Sequence, residues 1–170
     1  ADGVSVDYTP ALDFNGTEII TYTVSDGTVE STGTLTITVT DVNDAPVAVE
    51  DAATVLEDAE LTSIDVIAND TDVEADSLTL TAVTTAGTGT VAVNADGVSV
   101  DYTPALDFNG TETITYAVSD GSLTDTTSTL TITVTAVNDA PTITSTAVTA
   151  ATEDVAYSYA ITTDDVDGDT

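Results

Sequence analysis

The sequence predicts an all-β fold of seven-stranded antiparallel β-sandwiches, arranged in tandem and joined end to end. Three observations carry that expectation. Residues 1–16 and 95–110 are the same letters, ADGVSVDYTPALDFNG, and the match runs on through TEIITYTVSDGT and TETITYAVSDGS. Apolar residues alternate with Thr, which is the period of a half-buried strand, and no segment holds a 3.6-residue period for a helix length. Thr accounts for 38 of the 170 residues, and its β-branched side chain favours a pleated surface.

The repeat sets the domain organisation. TLTITVTDVNDAP from Thr34 recurs as TLTITVTAVNDAP from Thr129, so the period is 94 or 95 residues. That is too long for a solenoid unit and suits one independent sandwich. Residues 1–45 read as the C-terminal half of one repeat and 46–140 as a complete repeat. Residues 141–170 read as the N-terminal part of a third, diverged one. The chain is expected to be a stretch of a longer array.

Within the complete repeat, seven strands are expected over 47–56, 61–67, 77–83, 90–94, 98–103, 111–119 and 126–137. Val98, Val100 and Tyr102 alternate with polar neighbours, as do Ile114, Tyr116 and Val118, and Leu130, Ile132 and Val134. Turn signals separate the strands at Asn69-Asp70, Asp96-Gly97, Asn109-Gly110 and Asp120-Gly121. Tyr102 and Tyr116 supply most of the aromatic core volume. Seven short strands in this length imply an immunoglobulin- or cadherin-like sandwich.

Charge narrows the function. There are 31 Asp plus Glu and no Lys, Arg, His or Cys, for a formal net charge of -31. With no cation to displace phosphate counterions, nucleic-acid binding is excluded, as is adsorption to an anionic membrane. No apolar run is long enough for membrane insertion. Without His, Cys, Lys or Arg, most of the usual general bases, covalent nucleophiles and anion clamps are missing, as are the nitrogen and sulfur ligands of zinc or copper. Oxygen remains, and oxygen suits Ca²⁺. Paired carboxylates alone can hydrolyse glycosides, but that needs an acid in an apolar cleft beside stacking aromatics, and no Trp is present. The expectation is no enzyme.

Strand parity sorts the acids onto two ends. Asn43, Asp44, Asp70, Asp72, Asp76 and Asp120 fall at one pole, and Glu57, Asp58, Asp107, Asn109, Asn138 and Asp139 at the other. In tandem, unlike poles meet, which crowds six or more carboxylates into each junction. That crowding costs several kcal/mol unless water or metal intervenes. Ca²⁺, taking six to eight oxygens, would convert the repulsion into a joint.

These residues also carry a resemblance. DVNDAP (Asp41 to Pro46) and AVNDAP (Ala136 to Pro141) resemble the linker between cadherin domains. Asp70-Thr71-Asp72 and Asp165-Val166-Asp167 are similar to that family's Asp-x-Asp calcium motif, and Leu106-Asp107 to the start of its Leu-Asp-Arg-Glu motif. Glu57 and Glu153 resemble the acid early in each cadherin repeat. Ala136 stands where the first linker has Asp41, and Asn109 where the cadherin motif has Glu. The chain as a whole resembles cadherin-like repeats of giant bacterial RTX-type adhesins, its third unit the dystroglycan-type variety.

The resemblance implies Ca²⁺ as cofactor, two or three ions per junction, and neighbouring repeats of the same chain as the main partners. The implied ligands are Asp13, Asp41, Asn43, Asp44, Asp70, Asp72, Glu57, Asp58, Asp107, Asn138, Asp139, Asp165 and Asp167. Asn15, Asp76, Asn109, Asp120, Asp169, Glu153 and Asp154 complete the set. Asp165 to Asp169 has the look of a calcium loop but lacks the length and flanking helices of an EF-hand. Hairpin turns alone would account for Asp26-Gly27 and Asp120-Gly121. The function expected is a calcium-rigidified extender of an extracellular, cell-surface adhesin. The alternatives are the main subunit of a filament or surface layer, with homophilic or fibre contacts, and a carbohydrate- or partner-binding module.

Overall fold

The computed structural model describes residues 4–168, and among these every regular element is a β-strand. Two strands, β1 (Gly16–Ser25) and β2 (Glu30–Val39), form an antiparallel hairpin. Seven follow: β3 (Asp51–Leu56), β4 (Thr62–Asp65), β5 (Thr79–Thr85), β6 (Thr90–Val93), β7 (Ser99–Thr103), β8 (Gly110–Ser119) and β9 (Thr124–Thr135). A last short pair is β10 (Thr142–Ile143) and β11 (Thr163–Asp164).

The seven central strands make two sheets, β3-β9-β8-β5 and β4-β7-β6. Inward alternation closes them on one core. Leu130, Ile132 and Val134 from β9 meet Ile114, Tyr116 and Val118 from β8, and Val100 and Tyr102 from β7, all at most 2 % exposed. Each such side chain contributes about 1.5–3 kcal/mol on burial. The outward positions Thr111, Thr113 and Thr115 lie opposite Thr133, Thr131 and Thr129.

Two details depart from the simple alternating, antiparallel picture. β3 pairs with β9 in parallel, from Asp51↔Leu130 to Leu56↔Thr135. When seven successive strands alternate in direction, the first and last run the same way, so their pairing has to be parallel. Register also slips between Tyr116 and Val118, where two residues of β8 span three of β9. Such a bulge re-aims side chains, and Tyr116 to Ser119 are consecutively buried.

The hairpin β1–β2 repeats the letters of β8–β9 without their surroundings. Tyr22 is 42 % exposed where Tyr116 is 1 %, and Val24 is 58 % exposed where Val118 is buried. The strands that cover the central pair, β3 and β5, have no counterparts beside the hairpin among the described residues. Burial here is a property of the completed sandwich, not of the strand sequence.

Candidate metal centre

Four acids are held in the left-handed backbone region: Asp13 (φ 55), Asp58 (φ 56), Asp107 (φ 56) and Asp154 (φ 61). That region costs an L-residue about 1–2 kcal/mol, and Asp is among the few that visit it. Asp13 and Asp107 are the same repeat position, and Asp58 and Asp154 follow the equivalent Glu57 and Glu153. Both loops therefore turn sharply where they deliver a carboxylate. Asp58 Oδ1 accepts the backbone N–H of Asp107 at 3.0 Å, which ties the two loops to each other.

The linker after β9 passes over this pair. Glu57, 3 % exposed, accepts the Val137 N–H through Oε1 at 2.6 Å and the Asn109 amide through Oε2 at 3.2 Å. Asp139 donates its N–H to Asp167 Oδ2 at 2.7 Å, and Asp165 Oδ1 accepts the Asp167 N–H at 3.0 Å. Asn138 uses its amide on the Asp139 carbonyl, at 2.7 Å, so that end of its side chain shapes the linker.

Two groups of carboxylate oxygens result, each with its atoms within 4.8 Å of one another: Glu57, Asp139 and Asp167, and Asp58, Asp107 and Asp139. Asp139 belongs to both. Its Oδ2 is buried and accepts no hydrogen bond. Burial, then the negative charges of Asp58, Asp107, Asp167 and Glu57, push its carboxyl above the ordinary carboxylate range. A buried lone pair among five carboxylates, with no Lys, Arg or His in the chain, fits a hard oxygen-seeking cation such as Ca²⁺.

The linker at 41–46 is built differently. Asp13, Asp41, Asp44 and Glu74 line a cleft of about 220 Å³. Asn15 donates to Asp41 Oδ1 at 2.6 Å, and the Asp44 N–H to Glu74 Oε2 at 3.1 Å. Glu74 takes the place that Asp167 has beside Asp139, and the motif reading missed it. Asp72, the counterpart of Asp167, instead accepts the Glu74 and Asp76 N–H groups through Oδ1. Asn43 spans the Asp44 carbonyl and Asp120 Oδ2. That amide, with the Leu123 and Ser122 N–H groups, holds the Asp120 carboxyl low. Among the described residues these acids do not gather as closely as those around Asp139.

Asp70 Oδ1 accepts the Val49 N–H at 2.7 Å, while Oδ2 of Asp70 and of Asp72 is buried with no donor. Burial raises the Asp70 carboxyl, helped by the charges of Asp51, Asp125 and Asp65. Asp51 is likewise raised by burial, and its Oδ2 lies 2.8 Å from the Tyr116 hydroxyl. Of the third-unit candidates, Glu153 and Asp154 are exposed and Asp169 lies outside the described residues.

A second acid that motif reading did not single out is Glu112, 4 % exposed. It accepts from the Thr88 and Gly89 N–H groups, the Thr88 hydroxyl and the Tyr102 hydroxyl, at 2.6 to 3.3 Å. Gly87 and Gly89 make room for it, since a Cβ at either would come within 2.3 and 2.8 Å of its carboxylate, respectively. With four donor groups around it, Glu112 is a satisfied structural acid.

The sequence matches the bacterial Ig domain family over residues 1–40 and 43–135. No curated protein matches it. Among solved structures, endo-fucoidan hydrolase MfFcnA4 of glycoside hydrolase family 107 is similar at 24% identity and a TM-score of 0.40. The match covers 75% of this chain and 20% of that one. Endo-fucoidan hydrolase MfFcnA9 is similar at 17% identity and a TM-score of 0.37, over 74% of this chain and 23% of that one. The chain thus spans about a fifth of the length of these enzymes. Among the described residues no helix is long and apolar enough to cross a membrane. With two sheets packed on one core and a family match over most of its length, the chain belongs to the bacterial Ig domain family.

Proposed function

We propose that this chain is a non-enzymatic spacer segment of a long extracellular, cell-surface adhesin, with cadherin-like joints that Ca²⁺ makes rigid. The observation that carries the reading is Asp139, a linker acid shared by two carboxylate groups and left with a buried, undonated oxygen. Glu57, Asp139 and Asp167 would hold one ion, and Asp58, Asp107 and Asp139 a second. The metal would supply the positive charge that the chain lacks. Linker and loops supply the positioning: the Asp58–Asp107 contact fixes one wall, and the Asp139–Asp167 contact the other. Repetition of the same letters suits lengthening better than recognition, and the all-oxygen donor set suits a spacer better than a catalyst.

Small-angle scattering on the intact chain tests this. The maximum dimension should grow when Ca²⁺ replaces EGTA at matched ionic strength. The chain carrying Asp139→Asn and Asp167→Asn should stay folded and show no growth. Equal dimensions of the unsubstituted chain with and without the metal would sink the proposal.

A further inference from the structure

Two Asn-Gly pairs, Asn15-Gly16 and Asn109-Gly110, stand at the same repeat position, each where a loop enters a long strand. We propose that they are sites of spontaneous deamidation, at which an exposed side-chain amide becomes a carboxylate without any enzyme.

The backbone makes glycine obligatory after each Asn. Gly16 and Gly110 have φ of 127 and 141, a region that side chains other than glycine's rarely enter. A Cβ at Gly110 would lie 3.3 Å from Phe108 Cζ. Glycine thus adds no side chain of its own beside the peptide nitrogen that attacks the Asn amide. Asn15 and Asn109 are both exposed and lie outside any strand.

A carboxylate also waits at each leaving group. Asn15 Nδ2 donates to Asp41 Oδ1 at 2.6 Å, and Asn109 Nδ2 to Glu57 Oε2 at 3.2 Å. The two carboxylates come from different elements, yet the relation is the same. When Gly110 N attacks Asn109 Cγ, the N–Cγ bond forms and the amide nitrogen turns into a basic amine. The adjacent carboxylate stabilises its protonated form by a charge-assisted hydrogen bond. The Cγ–Nδ2 bond then breaks, and ammonia leaves carrying the proton given up by Gly110 N–H. Water opens the resulting succinimide at either carbonyl, to aspartate or isoaspartate. One water enters and one ammonia departs.

None of the other Asn residues is followed by Gly, although Asn43 and Asn94 also donate their amides to carboxylates, those of Asp120 and Asp101, at 2.7 Å. Asn43, Asn69 and Asn138 precede Asp, and Asn94 precedes Ala. They are internal controls. Conversion at Asn109 places a new carboxylate beside Glu57 in the acid-rich joint. Its effect on ion binding rests on the calcium reading above; the conversion does not.

The test is incubation of the whole chain at mildly alkaline pH, beside a urea-unfolded sample, with peptide mapping by a protease that cleaves at acidic residues. Asn15 and Asn109 should convert and yield isoaspartate, while Asn43, Asn69, Asn94 and Asn138 stay intact. Glu57→Gln should slow conversion at Asn109 several-fold and leave Asn15 unchanged. Asp41→Asn should do the reverse, and neither should alter the rates in urea. If Asn15 and Asn109 survive in the folded chain while the unfolded chain converts, the proposal is overturned. Unchanged rates in both variants would overturn the part given to the carboxylates. A separate arm measures Ca²⁺ binding by Asn109→Asp. Tighter binding than the unsubstituted chain supports the added ligand, and no change counts against the calcium joint while the modification site stands.

Discussion

The backbone N–H of Asp139 donates to Asp167 Oδ2 across 2.7 Å, so the linker acid is tied to the loop that follows β11. Its own carboxylate meanwhile lies close to those of Glu57, Asp58 and Asp107, and its buried Oδ2 has no donor. One residue is thus tied through its backbone to one loop, while its carboxylate lies against like-charged acids from two others. A cation at that point would join all three.

Calcium should therefore stabilise the fold beyond what equal ionic strength of Na⁺ achieves. A metal that binds only the native state contributes about 2.7 kcal/mol at a hundredfold excess over its dissociation constant. Thermal melts in EGTA and in millimolar Ca²⁺ should differ by several degrees. Superimposable melts would refute the prediction.

Glu112 offers a test free of metal. Replacing it with Ala leaves the Gly89 and Thr88 N–H groups and the Tyr102 hydroxyl without their acceptor, at a cost of about 2–3 kcal/mol. Glu112→Gln, which keeps one acceptor oxygen, should cost less. Urea denaturation with an unchanged slope and a lowered midpoint is the expected readout, and the Ca²⁺ response should survive in the Gln variant.

The two acids should also titrate in opposite senses. For Glu112, burial works to raise the carboxyl, but the Gly89 and Thr88 N–H groups, with the hydroxyls, outweigh it and leave it below 4.5. Its stabilisation is present above that ordinary value and disappears as pH falls through the folded-state value. Asp139 is raised above 3.8. Between that value and its folded-state value the native chain holds the extra proton, so its contribution weakens as pH rises. Carboxyl NMR in EGTA should find Asp139 titrating above, and Glu112 below, their ordinary ranges. Ca²⁺ should move Asp139 downward and leave Glu112 in place.

How much of this was legible in the sequence depends on the kind of residue. The two-residue alternation of Leu130, Ile132 and Val134 against Thr located β9, because inward and outward positions differ in polarity. The same rule hid Glu112, an acid on the inward face. Its parity with Ile114 and Tyr116 was the available signal, and the Gly-Thr-Gly turn that satisfies it comes from a loop more than twenty residues earlier. Parity did place Glu57, Asp58, Asp107 and Asp139 at one pole. It could not tell that Glu74 rather than Asp72 would meet the Asp44 N–H, since that depends on how the loop coils around Asp72 Oδ1. Nor could spacing show which acid is shared.

That sharing yields the sharpest prediction. Asp167 and Glu57 belong to one group of oxygens, Asp58 and Asp107 to the other, and Asp139 to both. If each group holds an ion, Asp167→Asn should remove one Ca²⁺ from the titration and Asp58→Asn should remove one, each leaving the second in place. Asp139→Asn should weaken both together, because it withdraws the only charge common to them. The double substitution of Asp58 and Asp167 should then resemble Asp139→Asn, although it leaves the shared acid untouched. Calorimetric stoichiometry distinguishes this from a single diffuse pool of acids. In such a pool, every substitution would lower affinity by a similar factor, without changing the number of ions bound. An Asp139→Asn chain that keeps the full stoichiometry would show that its carboxylate is not the bridge.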